Sequence, residues 1–278
     1  MRSRIFTVTF AIVGASLLSL SASAQIVGPS TEGHRPPSSV KAAAAAPKTA
    51  YDPHDLTGVW WGRNFGFLNG GPWPNFTDNG RKLYQANKPS FGPTAVLPTF
   101  GNDPQGKCDP LGYPRNIYQN GRPFEIVMTP KKVMQIFEWQ RAVREIWVDG
   151  RKVPDDLDPR WFGYAVGHWE GNKFMVHSED YDARTWLDQQ GDPHDENMVL
   201  DEVIEHPDSE TLLDTMTITD PTVYVAPLVS WTPQKFALQE PKGVTELREE
   251  YCVPSEEESF NQNDRDRAAG TAKPVEVK

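Results

Sequence analysis

The amino-acid sequence predicts an all-β protein, an antiparallel meander that closes into a barrel and carries one or two short helices. Three paired stretches predict this fold, because each joins two apolar-rich runs through a short polar turn. They are FEIVMT with KVMQIFEW, WFGYAVGHWE with NKFMVHSED, and MVLDEVIEH with TLLDTMTI. About nine or ten strands in one open sheet would leave exposed edges, which a barrel or a sandwich removes, and we favour the barrel.

Shorter runs supply the remaining elements. The chain's first strand is LTGVWW, and further extended runs are AVREIWVD, TVYVAPLVSW, PQKFALQ and TELREEYCV. Helical periodicity is fair only in residues 77–89, where Thr77 or Asp78 is the candidate N-cap and Pro89 the stop. Gly171, at the tip of the second hairpin, allows the positive φ that a tight turn needs.

The two ends of the chain differ from this core. Residues 1–24 combine a basic start, an apolar run too short for a membrane span and small residues before a cleavage point. We predict a secretory signal cleaved after Ala24, with a retained N-terminal anchor as the alternative. Residues 25–50 predict a disordered lead-in, and residues 258–278 predict a disordered tail. Residues 51–257 then form a single β-barrel domain.

Charge and cysteine content restrict the partners and the compartment. The formal net charge is −10 and Lys and Arg form no run, which argues against nucleic acid and anionic lipid as partners. No stretch after the signal is long and apolar enough for membrane insertion. Cys108 and Cys252 predict a disulfide in a protein exported to the periplasm or secreted. Two buried free thiols are the alternative, because spacing alone does not bring sulfur atoms together.

Two resemblances point to the same fold. Gly58-x-Trp60 resembles the opening motif of lipocalins, where the Trp plugs one end of an eight-stranded barrel, and Arg248 could be the basic residue facing it. A second resemblance extends from Leu56 to about Glu257. It is to a large family of exported bacterial proteins without assigned chemistry, and it implies export and a β-rich fold. Its blocks are KCDPLGYPRN, RPFEIVMTP, FEWQRAVREIWVDGR, DPRWFGYAVGHWEGNKFMV and DARTWLDQQGDPHDE.

The block DARTWLDQQGDPHDE, residues 182–196, is the main candidate site, because it connects two hairpins at a predicted barrel mouth. His194 has a pKa suited to proton transfer, and Asp188 could orient the ring and raise that pKa. Asp182 is a candidate second carboxylate, and Arg184 could stabilise a developing oxyanion.

Trp186, in the same block, offers a stacking face to an aromatic ligand. The alternative is an acidic surface loop of solvated side chains, in which Asp192 serves a Gly-Asp-Pro turn.

Residues outside this block complete the candidate list. His168 and Tyr164 alternate on one strand face and could point into the barrel, with a structural histidine as the alternative. Glu138 could be an interior carboxylate paired with Arg141 or Arg144, which binds a ligand oxygen or only holds neighbouring strands together. A separate Pro/Gly-rich loop contains Arg115, which could bind an anionic ligand.

The sequence contains no G-x-G-x-x-G, P-loop, H-E-x-x-H, C-x-x-C or G-x-S-x-G motif, and Asp192-x-His194-x-Glu196 lacks diagnostic metal spacing. We therefore expect no cofactor and no metal. The predicted function is an exported acid–base enzyme of lyase, isomerase or hydrolase type, acting on a small, partly apolar, oxygenated molecule. A lipocalin-like carrier with the same pocket is the alternative, and an envelope-associated interaction protein is a third. The sequence leaves the oligomeric state open.

Overall fold

The computed structural model describes residues 51–62, 75–118, 122–229 and 233–271, so the predicted signal and the whole of the predicted lead-in lie outside it. The strands of the described chain are β1 Gly58–Trp61, β2 Phe124–Met128, β3 Lys132–Phe137, β4 Val143–Trp147, β5 Tyr164–Glu170, β6 Lys173–Glu179, β7 Val199–Asp208, β8 Thr211–Thr219, β9 Leu228–Val229 and β10 Gln234–Leu238. The helices are α1 Asp78–Ala86, α2 Arg115–Tyr118 and α3 Pro254–Ala269, with 3₁₀ turns at Pro98–Phe100, Pro104–Lys107 and Glu240–Lys242.

The strands close into a barrel, which confirms the predicted all-β fold. Strand β10 pairs with β1 on one side and with the first half of β8 on the other, so nine strands form the ring. Strand β9 adds to the second half of β8 outside that ring. A ring with an odd number of strands cannot alternate direction throughout, and the parallel pair here is β4 with β5. The predicted antiparallel meander therefore needs one correction, at the crossover through residues 148–163.

Inward-facing side chains alternate along each strand and meet in one core, as the pleat of a half-buried strand requires. On β6 the inward residues are Phe174, Val176 and Ser178, all nearly inaccessible to solvent. The interior of the barrel is filled by aromatic and aliphatic side chains packed together. They include Phe124, Ile126, Val133, Phe137, Ile146, Leu200, Ile204, Leu212, Met216, Ile218 and Phe236.

Most predicted elements form as expected. The three hairpins are β2–β3, β5–β6 and β7–β8, and Thr77 caps α1 by accepting a hydrogen bond from the Gly80 N–H. Of the TVYVAPLVSW run, the described residues contribute β9 and an isolated bridge from Tyr224 to Phe76. The TELREEYCV run makes a bridge from Glu250 to Trp139. The predicted disulfide joins Cys108 to Cys252, whose Cα atoms are 5.4 Å apart.

Trp60 agrees with the lipocalin resemblance in part. Its ring is fully buried, and its Nε1–H donates to the carbonyl oxygen of Leu56 at 2.9 Å. The last strand of the barrel is β10, however, and Arg248 lies beyond it as an exposed residue. Arg248 is therefore not the basic residue of a lipocalin-type last strand.

Helix α3 occupies part of the region for which composition predicts a disordered tail. The helix begins at Pro254, carries Glu256 and Glu257 in its first turn, and ends before Gly270 in the left-handed conformation. A first-turn proline, acidic side chains near the N-terminus and a C-terminal glycine all favour a helix. Composition misses it because Phe260 is its only large apolar residue. Within the described ranges, no helix has the length and apolar character that crossing a membrane requires.

Candidate functional site

The loop of residues 182–196 is folded into the protein, in contrast to the exposed acidic loop that was the alternative prediction. Asp188 and Asp192 are 0 % exposed, and His194 is 2 % exposed. The loop is held by its own backbone, since the Leu187 N–H donates to the Asp192 carbonyl at 2.8 Å. Helix α1 holds it from outside through Asn87, whose Nδ2 donates to the Gly191 carbonyl at 2.8 Å.

Asp188 and Asp192 form a pair of buried carboxyl groups in unequal surroundings. Asp188 Oδ1 accepts the backbone N–H groups of Gln190 at 2.8 Å and Asp192 at 3.3 Å. Burial raises the pKa of Asp188, but these bonds, the Asp192 side chain and the Arg115 charge oppose the rise. Burial and then the Asp188 charge raise the pKa of Asp192 well above its usual range. We therefore assign the proton of the pair to Asp192 and the negative charge to Asp188.

Two tyrosines and an arginine surround this pair. Burial and the charges of both aspartates raise the pKa of Tyr224, whose hydroxyl donates to the Pro193 carbonyl at 2.7 Å. The pKa of Tyr84, on α1, is also raised, first by burial. Arg115 begins α2 and is 1 % exposed; its direct partner is Asp103, at 2.6 Å between Nη2 and Oδ2.

Arg115 and Trp186 are therefore not open to a ligand in the way the sequence predicts. The Arg115 guanidinium lies over the Trp186 ring, 5.3 Å from its centroid, and Trp186 is 5 % exposed. The predicted stacking face for an aromatic ligand is covered by a residue of the protein itself.

His194 is not the proton carrier that the sequence predicts. Its Nδ1 lies 3.1 Å from the carbonyl oxygen of Asp195, which can only accept, so Nδ1 carries the ring hydrogen. Its Nε2 lies 2.6 Å from the Thr185 hydroxyl and accepts from it. Burial lowers the pKa of His194, whereas a dyad with Asp188 would have raised it. Both ring nitrogens are occupied, and Asp188 is not among the partners.

A groove lies beside this buried loop. It measures about 240 Å³ and is bounded by α3 and by the segment of residues 90–107. Phe91 and Phe260 line it and expose more than half of their surface. Gln189, next to Asp188 in the chain, and Asp103, the partner of Arg115, line it as well. The groove and the carboxyl pair therefore share neighbours.

A second buried charged cluster lies inside the barrel. Arg144 donates through Nη1 and Nη2 to the two carboxylate oxygens of Glu202, and the Tyr113 hydroxyl donates to Glu202 Oε1 at 2.6 Å. Arg144 also donates to Gln135 on the neighbouring strand at 3.0 Å. Burial and then the Glu202 charge raise the pKa of Asp214 well above its usual range. This cluster is enclosed by the strands that provide it.

Asp182 and Arg184 pair with each other on the surface. Arg184 Nη2 lies 2.5 Å from Asp182 Oδ2, and the guanidinium covers the Trp161 ring at 4.2 Å. The hydrogen bond from Arg184 is the main cause of the lowered pKa of Asp182. Asp182 acts on His194 through its charge and makes no side-chain hydrogen bond to it, so the predicted second carboxylate and oxyanion group are engaged with each other.

His168 and Tyr164 lie on the outer face of β5, so the prediction that they point into the barrel is wrong. The inward residues of β5 are Ala165 and Gly167. A Cβ added at Gly167 would lie 2.6 Å from the Phe174 ring. The His168 side chain is 67 % exposed and faces Glu170, also exposed. Tyr164 is covered from outside by arginine side chains, and its hydroxyl accepts from Arg151 at 3.3 Å.

Glu138 and Arg141 bind the backbone of residues 247–248, so their contacts are structural but are not the predicted pair that holds neighbouring strands together. Glu138 Oε2 accepts the Arg248 backbone N–H at 3.0 Å, and Arg141 Nη2 donates to the Leu247 carbonyl at 2.7 Å. Glu138 pairs with neither Arg141 nor Arg144, because Arg144 points into the barrel. The described residues contain no group of three or more His, Cys, Asp or Glu side chains arranged to hold a metal ion.

Sequence reasoning missed Asp192, Tyr84 and Tyr224 as members of the site. Asp192 was assigned to a turn because it lies between Gly191 and Pro193. One signal was present in the loop, where a Trp–Leu pair lies among charged residues. Such a pair is expected to be buried, and its neighbouring aspartates are then buried with it.

Comparison with known proteins gives no relative for this chain, since no family model, no curated protein and no solved structure matches it. The function is therefore argued from the site alone.

Proposed function

We propose that this protein is an acid–base enzyme of hydrolase, lyase or isomerase type, in which Asp192 is the general acid and Asp188 the general base. The observation that carries the proposal is the buried pair in unequal surroundings, in which Asp188 Oδ1 accepts two backbone N–H groups while burial and the Asp188 charge raise the pKa of Asp192. Environments that separate the pKa values of two adjacent groups are the usual basis of acid–base catalysis near neutral pH. Asp192 also keeps carboxyl oxygens that have no partner within the described residues.

The substrate of this proposal is a small, partly apolar, oxygenated molecule that approaches from the groove. Gln189 and Asp103 form part of the groove lining. Gln189 is the chain neighbour of Asp188, and Asp103 binds Arg115, whose charge acts on Asp188. An ionised Asp188 would take a proton from the substrate or from water, and Asp192 would supply one to a developing alkoxide. Arg115 would favour the charged form of Asp188 throughout.

A second candidate function is binding without turnover, and the exposed phenylalanines of the groove favour it. The predicted lipocalin-like carrier would place its ligand in the barrel interior, which is instead filled by packed side chains. A carrier would therefore use the groove beside α3.

We also propose export and membership of the exported bacterial family that the sequence blocks resemble, and the Cys108–Cys252 disulfide supports an oxidising compartment.

Styrene oxide, an aryl epoxide, tests both catalytic roles in one reaction. Asp188 would attack an epoxide carbon, the ring C–O bond would break, and the freed oxygen would take the proton of Asp192. The product is a hydroxyalkyl ester on Asp188, which peptide mass mapping locates. We expect Asp192→Asn to slow this labelling by roughly 10²-fold or more, as loss of a general acid does.

The matched control is Asp182→Asn, which changes a carboxylate of the same loop that faces Arg184 instead of the pair. Its labelling rate at Asp188 should equal that of the wild type. Adducts spread over surface carboxylates, with none at Asp188 in the folded protein, would show that small molecules do not reach the pair and would refute the proposed acid–base role.

A further inference from the structure

We propose that the groove between α3 and residues 90–107 binds a small aromatic carboxylate. Binding there does not depend on the chemistry of Asp188 and Asp192. The further inference, that the bound molecule is also the substrate, rests on the proposed function.

Helix α3 presents one face to the groove. Glu257, Phe260, Asn261 and Arg265 line it, at spacings of three and four residues that place side chains on one side of a helix. The Asn261 amide reaches the Gly106 carbonyl on the opposite wall at 3.4 Å. The Cys108–Cys252 disulfide joins the segment just before α3 to the end of the Pro104–Lys107 turn. The two walls of the groove are thus held together covalently at one end.

The walls favour a flat apolar group. Phe91 is 58 % exposed and Phe260 57 % exposed, and both line the groove, one from each wall. Trp139 adds a third aromatic side chain to the lining. Aromatic rings that remain exposed in a concave site are typical of ligand pockets, and they bind another ring in offset or edge-on geometry.

The charges favour an anion on that ring. Lys107 and Arg265 line the groove, and neither makes an ion pair with any residue in the described part of the chain. Of the two acids in the lining, Asp103 is already neutralised by Arg115, which leaves Glu257. A site with an excess of positive charge is informative in a chain whose net charge is −10. Guanidinium groups match carboxylates in planar, two-bond geometry.

The size of the groove restricts the ligand further. Its volume of about 240 Å³ is below the range of pockets for drug-sized ligands, which is roughly 300–1,000 Å³. One ring with a short acidic side chain fits this space, whereas a lipid chain or a polymer segment does not. Inorganic phosphate would use the cationic groups and leave the phenylalanines exposed, and a neutral sugar would not use the charges.

Isothermal titration calorimetry with trans-cinnamate tests the inference. Cinnamyl alcohol keeps the ring without the charge, and inorganic phosphate keeps the charge without the ring. We expect cinnamate to bind and both comparison ligands to bind at least about tenfold more weakly. Arg265→Gln should weaken cinnamate binding about tenfold, and Phe260→Ala should also weaken it.

Each variant has a control in the same part of the molecule. Arg267→Gln removes an arginine of α3 that does not line the groove, and Phe100→Ala removes an exposed phenylalanine beside it. Neither should change the affinity. Phosphate binding as tight as cinnamate, or equal affinity in Arg265→Gln and Arg267→Gln, would overturn the inference, as would no cinnamate binding at millimolar concentration. Epoxide labelling of Asp188 separates the two proposals, since it can succeed when cinnamate fails and fail when cinnamate binds.

Discussion

The protein contains two buried acidic centres of similar composition and different construction. The interior centre combines Glu202 and Asp214 with Arg144, and the loop centre combines Asp188 and Asp192 with a nearby arginine. In each, burial and a neighbouring carboxylate raise the pKa of one acid well above its usual range. Both centres therefore hold one proton between two carboxyl groups.

The position of the arginine distinguishes them. Arg144 binds both oxygens of Glu202 directly, whereas Arg115 binds Asp103 and lowers the pKa of Asp188 through its charge. The charge on Asp188 is therefore balanced by backbone N–H groups and by the proton on Asp192. These contacts restrict the position of that proton less than a guanidinium bonded to both carboxylate oxygens would. Under the proposed function, the interior centre serves packing because its cation is bonded to its carboxylate, and the loop centre retains a proton that can be transferred.

The largest expected effect is on stability, and Arg144→Met measures it. The change leaves Glu202 buried without its cation, which typically costs about 3–5 kcal/mol of unfolding free energy. Arg115→Met is the matched variant, and its cost should be smaller because Asp103 is partly exposed and regains water. Urea unfolding of both variants gives the comparison. Equal losses would show that the two arginines have the same structural role.

A medium effect concerns the pH dependence of stability. The folded-state pKa of Asp214 and of Asp192 is raised, so each group stabilises the protein fully below the unfolded-state pKa of about 4 and less as pH rises through the folded value. Unfolding free energy should decline with rising pH by about 1.4 kcal/mol per unit for each group in that window. Asp214→Asn and Asp192→Asn should each remove one such slope, measured by urea unfolding between pH 4 and 8.

Only one of these two variants should affect chemistry. Asp214→Asn should keep the epoxide labelling of Asp188 at the wild-type rate, because the interior centre lies within the strands. If Asp214→Asn slowed labelling as much as Asp192→Asn, the distinction between a packing centre and a proton-transfer centre would be lost.

The fold could be predicted further than the site. Alternating apolar residues and turn residues specify hairpins locally, which is why β2–β3 and β5–β6 appear as expected. The parallel β4–β5 pair depends on how the ring closes, which no local pattern encodes. The side of β5 that faces inward was also chosen wrongly, because Tyr164 and His168 look as suitable for an interior as Ala165 and Gly167.

The sequence predicts a site in the loop of residues 182–196, but the contacts within the loop differ from the predicted ones. His194 was chosen because of its ordinary pKa, and burial changes that property. The partners of His194 are a hydroxyl and a backbone carbonyl, and sequence gives no sign of either. Helix α3, which makes one wall of the groove, lacks an apolar stripe; the disulfide just before it is predicted, but the helix is not.

The smallest expected effect separates His194 from His177, and it tests whether the loop holds a neutral histidine. Burial lowers the pKa of His194, so the group stabilises the protein above the unfolded-state pKa of about 6.5 and opposes folding increasingly as pH falls below it. Burial also lowers the pKa of His177, but hydrogen bonds to Asp201 and Glu179 outweigh it and give a net rise. His177 therefore stabilises the protein below about pH 6.5 and loses that contribution as pH rises through its folded pKa.

The two histidines thus predict slopes of opposite sign in adjacent pH ranges, below about pH 6.5 for His194 and above it for His177. Between pH 6.5 and 5, His194→Gln should gain more stability on acidification than the wild type, by up to about 1.4 kcal/mol per unit. His177→Gln should gain less than the wild type on acidification from about pH 8 to about pH 6.5, where the wild type acquires the His177 contribution. Urea unfolding in steps of half a pH unit resolves the sign. A smaller gain in His194→Gln than in the wild type would mean that His194 is protonated in the folded loop, so that its Nε2 donates to Thr185. A cationic histidine would then lie in the loop of the carboxyl pair, and the charge on Asp188 would no longer be balanced by the Asp192 proton and backbone groups alone.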